Sequence, residues 1–385
     1  MLTNWTYKKR LSIIFRRTSF LREYRDLLGN LKETQPRYLR TNKHDLYTEY
    51  VYSIPLGKVL TESLEKAIVE AFDCVCRVKG AGGRLYVRIY KYLLPDKVDY
   101  RAVTEYSKSV SSNVKYSVPI GLSIDNFIFH DFDKIPHMTV AGATRQGKTV
   151  FLKQMITYLL ENYPEHIRLY LIDLKGGLEF GRYADLKQTI NVASNATETR
   201  QLLEEVQRNM IHDMKYYRER GYTNVVDTPI KRRTFVIVDE AAQLAPEPYM
   251  EQNEKEELGY CQATLSEITR IGGALGYRLI FATQYPTADT LPRQIKQNAD
   301  AKVSFRLTTE VASRVALDEQ GAEKLATPGR AIYRTIEAVE VQAPYISDKE
   351  SEERLAKFNV KEGLQHDDTS RDEVPGPDDD DPFQT

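Results

Sequence analysis

Gly142-Ala143-Thr144-Arg145-Gln146-Gly147-Lys148-Thr149 is the stretch that decides the fold. It follows a strand-like run, His137-Met138-Thr139-Val140-Ala141, and opens onto an amphipathic helical stretch from Lys148 to Ile156. A glycine-framed loop that joins a strand to a helix and closes on lysine and threonine is a phosphate-binding loop in its required context. The glycines let successive backbone N–H groups turn inward on the β- and γ-phosphates of a nucleotide. Lys148 supplies a point charge, Thr149 an oxygen for Mg²⁺, and the helix N-terminus its positive end. The candidate cradle is therefore Gly142, Ala143, Thr144, Arg145, Gln146, Gly147, Lys148, Thr149 and Val150. It implies ATP and Mg²⁺.

Farther along, Arg233-Thr234-Phe235-Val236-Ile237-Val238-Asp239-Glu240 is a short apolar run ending in two acids. Such a run is expected of a strand buried on both faces of a parallel sheet. A carboxylate at its end is costly unless it meets water or a cation. Asp239 is the candidate holder of the metal shell, and Glu240 the candidate base that polarises the attacking water. A third strand, Tyr277 to Gln284, also ends in polar residues. Gln284 either senses the γ-phosphate and orients the water or serves as a strand-end amide in a turn.

The chain has 385 residues, enough for two domains, one with a large core. Its formal charge of −1 conceals a strong polarity. From Lys8 to Lys43 only Glu23, Asp26 and Glu33 oppose a dense set of lysines and arginines, whereas the C-terminus is rich in aspartate. One end suits an anionic partner and the other repels one. The three cysteines, Cys74, Cys76 and Cys261, lack the companions of a zinc set and read as small buried hydrophobes in a reducing compartment. No stretch has the uncharged length needed to span a bilayer. The expectation is a cytoplasmic protein that is not membrane-spanning and can be recruited to a membrane.

Four segments are expected. Residues 1–45 read as a basic helical segment with a polar connection at Glu33-Thr34-Gln35-Pro36. Residues 46–116 read as a small α/β domain, with a helix over Glu62 to Phe72, an alternating strand over Leu85 to Tyr90, and Lys79 to Gly83 as a hairpin loop. From 117 to 345 strands and helices alternate, the signature of a mostly parallel sheet covered on both faces. This part includes long helices over Thr197 to Arg220 and Glu257 to Ile271, and last strands over Ala301 to Leu307 and Arg330 to Val341. Residues 346–385 read as a short charged helix and an acidic tail that cannot bury a core and should be disordered.

Several stretches together resemble the FtsK/SpoIIIE family of DNA translocases. They are Pro119-Ile120-Gly121-Leu122, Ile135-Pro136-His137-Met138, the phosphate loop, Asp173-Leu174-Lys175-Gly176-Gly177, Val238-Asp239-Glu240, Ala282-Thr283-Gln284, Phe305-Arg306, and Gly321-Ala322-Glu323-Lys324-Leu325. The resemblance covers roughly residues 117 to 335 and implies a RecA-like P-loop ATPase core. It implies a homo-oligomer, a hexameric ring, with ATP at subunit interfaces and double-stranded DNA through the pore. Such a ring needs an arginine from a neighbouring subunit to stabilise charge on the transferred phosphoryl group. Where family members usually carry that arginine this chain has Gly273, which leaves Arg270 as the nearest substitute, with Arg306 and Arg314 as others. Thr283 and Arg314 fall where the family touches the DNA backbone, but Tyr285 and Glu310 stand where basic residues are usual. A weaker grip on DNA is the consequence, to be seen as a shallow salt dependence.

The expected function is ATP-driven translocation of duplex DNA in conjugative transfer or in plasmid or phage DNA handling. Two alternatives stand beside it. One is an ATP-binding adaptor that docks a relaxase or a membrane channel; the other is a single-strand helicase or replication factor. Pro377 to Phe383 resembles the acidic tip by which single-stranded-DNA-binding proteins dock partners, although Gln384 and Thr385 follow the phenylalanine. A solvating tail that keeps stray nucleic acid off the ring is the favoured reading.

Overall fold

The apolar runs fold into two units, the first around one core and the second around a core on each face of its large sheet. The computed structural model describes residues 4–60, 62–72, 74–109 and 116–360, and its contacts divide into a unit over 1–94 and a unit over 95–385. The first unit comprises α1 (Asn4–Arg17), β1 (Arg22–Arg25), β2 (Leu31–Thr34), β3 (Tyr38–Lys43), β4 (Tyr47–Ser53), α2 (Glu62–Phe72), β5 (Cys76–Ala81) and β6 (Arg84–Tyr90). An antiparallel sheet in the order β3-β4-β6-β5 packs against both helices. Leu11 and Phe15 of α1 join Leu64, Ile68, Leu85 and Val87 in that core. The basic segment expected over 1–45 is therefore no appendage. Its helix supplies core side chains, and its polar connection is replaced by the β1–β2 hairpin and by β3, which pairs with β4. The hairpin loop expected at Lys79 to Gly83 tightens to Gly82-Gly83, both at positive φ, because pairing continues to Ala81↔Arg84.

The second unit begins with β7 (Val98–Asp99), α3 (Tyr100–Ser109), β8 (Ser117–Leu122), β9 (Phe127–Asp131), β10 (Met138–Ala141), α4 (Lys148–Asn162), β11 (Ile167–Ile172) and β12 (Thr189–Ala193). It continues with α5 (Ala196–Arg220), β13 (Arg233–Val238), α6 (Gln252–Glu267), a π-turn over Ile268–Gly272, α7 (Gly273–Leu275), β14 (Tyr277–Thr283), α8 (Arg293–Asn298) and β15 (Ala301–Phe305). Then come α9 (Glu310–Leu317), β16 (Arg330–Arg334), β17 (Ala338–Gln342), β18 (Pro344–Tyr345) and α10 (Asp348–Leu355). A ten-stranded sheet runs β12-β11-β13-β14-β10-β15-β16-β17-β8-β9. The run from β12 to β15 is parallel and the rest antiparallel.

Alternation along the strands sends successive side chains to opposite faces. Leu169, Leu171, Phe235 and Ile237 meet Phe151, Leu152, Met155 and Leu159 of α4 on one face. Tyr170, Ile172, Val236 and Val238 meet Leu202 and Val206 of α5 and Leu258 and Leu265 of α6 on the other. The boundary expected at 116/117 moves to 94/95 because Val98, Tyr100 and Val103 are buried in the core of the large sheet. The strand expected over Arg330 to Val341 is a hairpin, with Arg330 opposite Gln342. Ile346 and Leu355 are buried in the same core, so residues 346–360 belong to this unit rather than to a tail. The acidic tail expected from the sequence to be disordered lies outside the described residues, beyond 360. Among the described residues no helix is long and apolar enough to cross a membrane.

Candidate functional site

Six parallel strands end at one edge of the sheet, and the loop after β10 is held there by its neighbours on both sides. Gly142 N donates to the carbonyl of Thr283, the last residue of β14, at 3.2 Å, and Ala143 N to the Arg306 carbonyl just after β15 at 2.9 Å. A Cβ on Gly142 would lie 2.8 Å from Phe305 Cβ, so only glycine passes. Arg145 (φ 64) and Gly147 (φ 116) are left-handed and fold the loop back over the start of α4. That helix has no side-chain cap at Gly147 and no acid in its first turn. Its leading N–H groups are thus available to an anion, as helix N-termini are. The loop geometry fits a phosphate chain.

The acids arrive from β13, every residue of which is buried. Asp239 and Glu240 are buried too, and two lysines converge on them. Lys148 Nζ donates to Asp239 Oδ1 at 2.8 Å and to the Asp239 carbonyl, and lies 4.0 Å from Glu240 Oε2. Lys175 Nζ lies 3.3 Å from Asp239 Oδ2 and 3.5 Å from Glu240 Oε2. Burial works against the Lys175 ammonium, yet Asp239 and Glu240 hold its pKa above the usual range. Glu240 Oε1 accepts from Thr283 Oγ1 and from Gln284 N, both at 3.0 Å, so the end of β14 fixes its direction. Thr144 Oγ1 donates to Gln284 Oε1 at 2.8 Å, which ties the phosphate loop to the same strand end.

Lys175 is delivered by a loop that Asp173 folds. The buried Asp173 carboxylate accepts from Lys175 N at 3.2 Å, Glu179 N at 2.7 Å and Phe180 N at 3.0 Å. Gly176 and Gly177, at φ 78 and 73, make the reversal. On the far side of the phosphate loop a cavity of about 290 Å³ is walled by Pro328, Gly329, Pro344, Tyr345 and Lys97. The Lys97 ammonium stands 4.7 Å over the Tyr345 ring.

The structure thus gathers Lys148, Asp239, Glu240 and Gln284 into one cluster and sets Thr149 at the cavity wall. Thr283, expected on DNA, is buried at the end of β14 with its hydroxyl on Glu240, because its strand position faces the acids rather than solvent. Arg314 is exposed on α9, and its guanidinium binds Glu310 at 2.6 and 3.0 Å. The residue expected to repel phosphate therefore neutralises the one expected to hold it. Arg270 is exposed on the π-turn that leads into the start of β14, at the edge opposite the phosphate loop, with Glu267 at 3.9 Å. It cannot reach the loop of its own chain. Glycine at 273 has a steric cause, since a Cβ there would meet Pro136 Cγ at 2.8 Å. The sequence reading gave no role to Lys175, nor to the walls at 328–329 and 344–345. Asp173-Leu174-Lys175-Gly176-Gly177 was the visible signal for the former.

A phosphate loop at the C-terminal edge of a parallel sheet, facing a strand that ends in two acids, defines a P-loop ATPase core. The FtsK/SpoIIIE family model matches residues 100–332, more than half of the chain, and the chain belongs to that family. It is 28% identical over 293 residues to the DNA translocase FtsK of Lactiplantibacillus plantarum, covering 71% of this chain and 36% of that one. It is 30% identical over 264 residues to the DNA translocase FtsK of Leptospira interrogans, covering 63% and 27%. The chain thus spans only about a third of the length of these curated relatives. Among solved structures, the monomer form of the pCW3 conjugation coupling protein TcpA with ATPγS shares the fold, at 20% identity and TM-score 0.63, covering 91% of this chain and 99% of that one. ATPases 2 and 3 of EssC from Geobacillus thermodenitrificans do so at 16% identity and TM-score 0.58, covering 71% and 53%.

Proposed function

We propose that this chain hydrolyses ATP to move double-stranded DNA through a ring of identical subunits, a hexamer, in conjugative transfer or in plasmid or phage DNA handling. The observation that carries this reading is the convergence of Lys148, Asp239 and Glu240 beside the phosphate loop. Residues 142–150 hold the triphosphate, with the cavity walled by Pro328 and Tyr345 beside them for base and ribose. Lys148 exchanges its contact with Asp239 for the phosphates. Thr149 and Asp239 would hold Mg²⁺, which would draw charge from the phosphoryl oxygens. Glu240, aimed by Thr283 and Gln284, takes a proton from the attacking water. Gln284, bonded to Thr144, is placed to register the state of the loop.

Arg270 completes the site of a neighbouring subunit, since it lies exposed at the far edge of its own sheet. Duplex DNA is the substrate to which Arg314 contributes a contact, weakened by Glu310. The chain acts in the cytoplasm, and a relaxase, membrane channel or replication partner would recruit it. The Arg314–Glu310 pair also favours a second reading, an adaptor in which ATP only fixes the ring. Displacement of a third strand from a linear duplex separates the two. A motor strips it with ATP and shows hydrolysis stimulated by duplex DNA. An adaptor does neither, and a forked substrate unwound instead would point to a helicase.

A further inference from the structure

We propose that the β1–β2 hairpin docks the first unit on a membrane surface containing anionic lipid, with Leu27 and Leu28 entering the interface. The hairpin is a two-stranded sheet on its own, and every residue of both strands is exposed. Its apex carries two adjacent leucines, 106% and 86% exposed relative to a free residue, with Leu31 and Tyr24 exposed behind them. Large apolar side chains so presented mark an interaction site when they cluster.

The apex is built rather than loose. Asp26 Oδ1 accepts from Leu28 N and Asn30 N, each at 2.9 Å, and the Asp26 carbonyl accepts from Gly29 N at 3.0 Å. Arg25 Nη1 donates to the Gly29 carbonyl at 3.1 Å, and Gly29 takes the left-handed φ of 81 that the turn needs. These bonds spend the polar groups of the turn internally and leave its two side chains facing outward. With the N–H groups of Leu28, Gly29 and Asn30 already bonded inside the turn, the tip takes fewer unpaired donors into an apolar medium.

Charge selects the occupant. Residues 1–94 hold 18 lysines and arginines against nine aspartates and glutamates, a formal +9 in a chain whose total is −1. Around the hairpin, Lys32 meets Asp26 at 3.9 Å and Arg16 meets Glu33 at 3.6 Å, so two of its three acids are already offset. Arg25 adds positive charge at the apex end of β1, with Arg22 at the base of the hairpin opposite Thr34 and Arg17 at the end of α1. Apolar tips and basic flanks together match an anionic bilayer, which offers apolar volume under a negative surface. Duplex DNA meets the charge but admits adjacent leucines only by unstacking its bases. Tyrosine near the tip suits the headgroup level.

The test sediments the full chain with vesicles of phosphatidylcholine alone and of equal parts phosphatidylcholine and phosphatidylglycerol. Binding to the phosphatidylglycerol vesicles only is expected, falling at high salt. The Leu27→Asn/Leu28→Asn variant should bind them at least about tenfold more weakly, and Leu28→Trp should shift its emission to the blue on adding them. An unchanged circular-dichroism spectrum and unchanged thermal unfolding report that the variant is folded, as expected for leucines that belong to no core among the described residues. Three results overturn the proposal. They are no sedimentation with either vesicle, sedimentation equal in the wild type and the asparagine variant, or a variant that keeps vesicle binding while losing duplex-DNA retention or self-association.

Discussion

Two buried ion clusters sit at opposite ends of the same pair of strands, and they are built from different cations. At the starting edge of β13 and β14, Asp133 accepts from Arg233 at 2.7 and 3.0 Å and from Arg278 at 2.8 Å. At the finishing edge, Asp239 and Glu240 meet Lys148 and Lys175. Guanidinium forks fix a carboxylate in one geometry, whereas ammonium groups are point charges on flexible stems. The arginine cluster binds β13, β14 and the segment before β10 into one slab. Although burial works against the Asp133 charge, Arg233 and Arg278 hold its pKa below the usual carboxylate range. The lysine cluster faces the phosphate loop, where its contacts can be exchanged. Arginine at one edge locks the sheet; lysine at the other leaves the acids free to work.

That contrast breaks most readily at the lysine edge. Glu240→Gln is expected to lower the rate of hydrolysis about 10²–10⁴-fold with nucleotide affinity retained. Lys148→Ala should lower it about 10²–10³-fold or more. Phosphate release and binding of a fluorescent nucleotide measure both, and neither variant should unfold the chain. At the arginine edge the effect should appear in stability instead. Asp133→Ala strands two buried guanidiniums and should cost about 3–5 kcal/mol in denaturant unfolding. A loss below about 1 kcal/mol, as for a surface pair, would erase the contrast.

Acid sharpens it further, because two neutral histidines flank the arginine cluster. Burial first, then the charge of Arg278, lowers His137 to about 3, and burial with the same charge lowers His130 to about 3. Their folded pKa values lie below the ordinary 6.5, so the unfolded chain takes up their protons first. Stability is therefore intact above about pH 6.5 and falls below it, by up to about 1.4 kcal/mol per pH unit for each histidine. His137→Asn should shallow that slope, read from unfolding midpoints across pH. The smallest effect belongs to the exposed Arg314–Glu310 pair. Glu310→Ala should leave stability within about 1 kcal/mol, while tightening duplex binding and steepening its salt dependence by about one unit.

The sequence revealed the site where its chemistry is local. The phosphate loop carries its own signature, and the acids after β13 follow an apolar run. The helix expected over Thr197 to Arg220 forms over Ala196–Arg220, where the structure adds Asn195 as its cap and a left-handed Gly221 at its end. What escaped notice depends on distant partners. Thr283 is an ordinary strand-end threonine until Glu240, 43 residues away, takes its hydroxyl. Asp133 reaches arginines 100 and 145 residues on. Lys175 belongs to a stretch whose chemistry appears only when Asp173 folds it onto the acids. The β16–β17 hairpin was read as one strand because Thr335-Ile336-Glu337 holds no glycine or proline to mark a turn. Residues 1–45 hid their core side chains behind their charge.

On taking up nucleotide, Lys148 should trade Asp239 for phosphate. A crystal structure with a slowly hydrolysed ATP analogue and Mg²⁺ tests it most directly. The terminal phosphate is expected within hydrogen-bonding distance of Lys148 Nζ, with Thr149 and Asp239 holding the metal and Glu240 facing the phosphate, Thr283 still on its carboxylate. Nucleotide bound elsewhere, or Lys148 still paired with Asp239 beside a loaded loop, would contradict it.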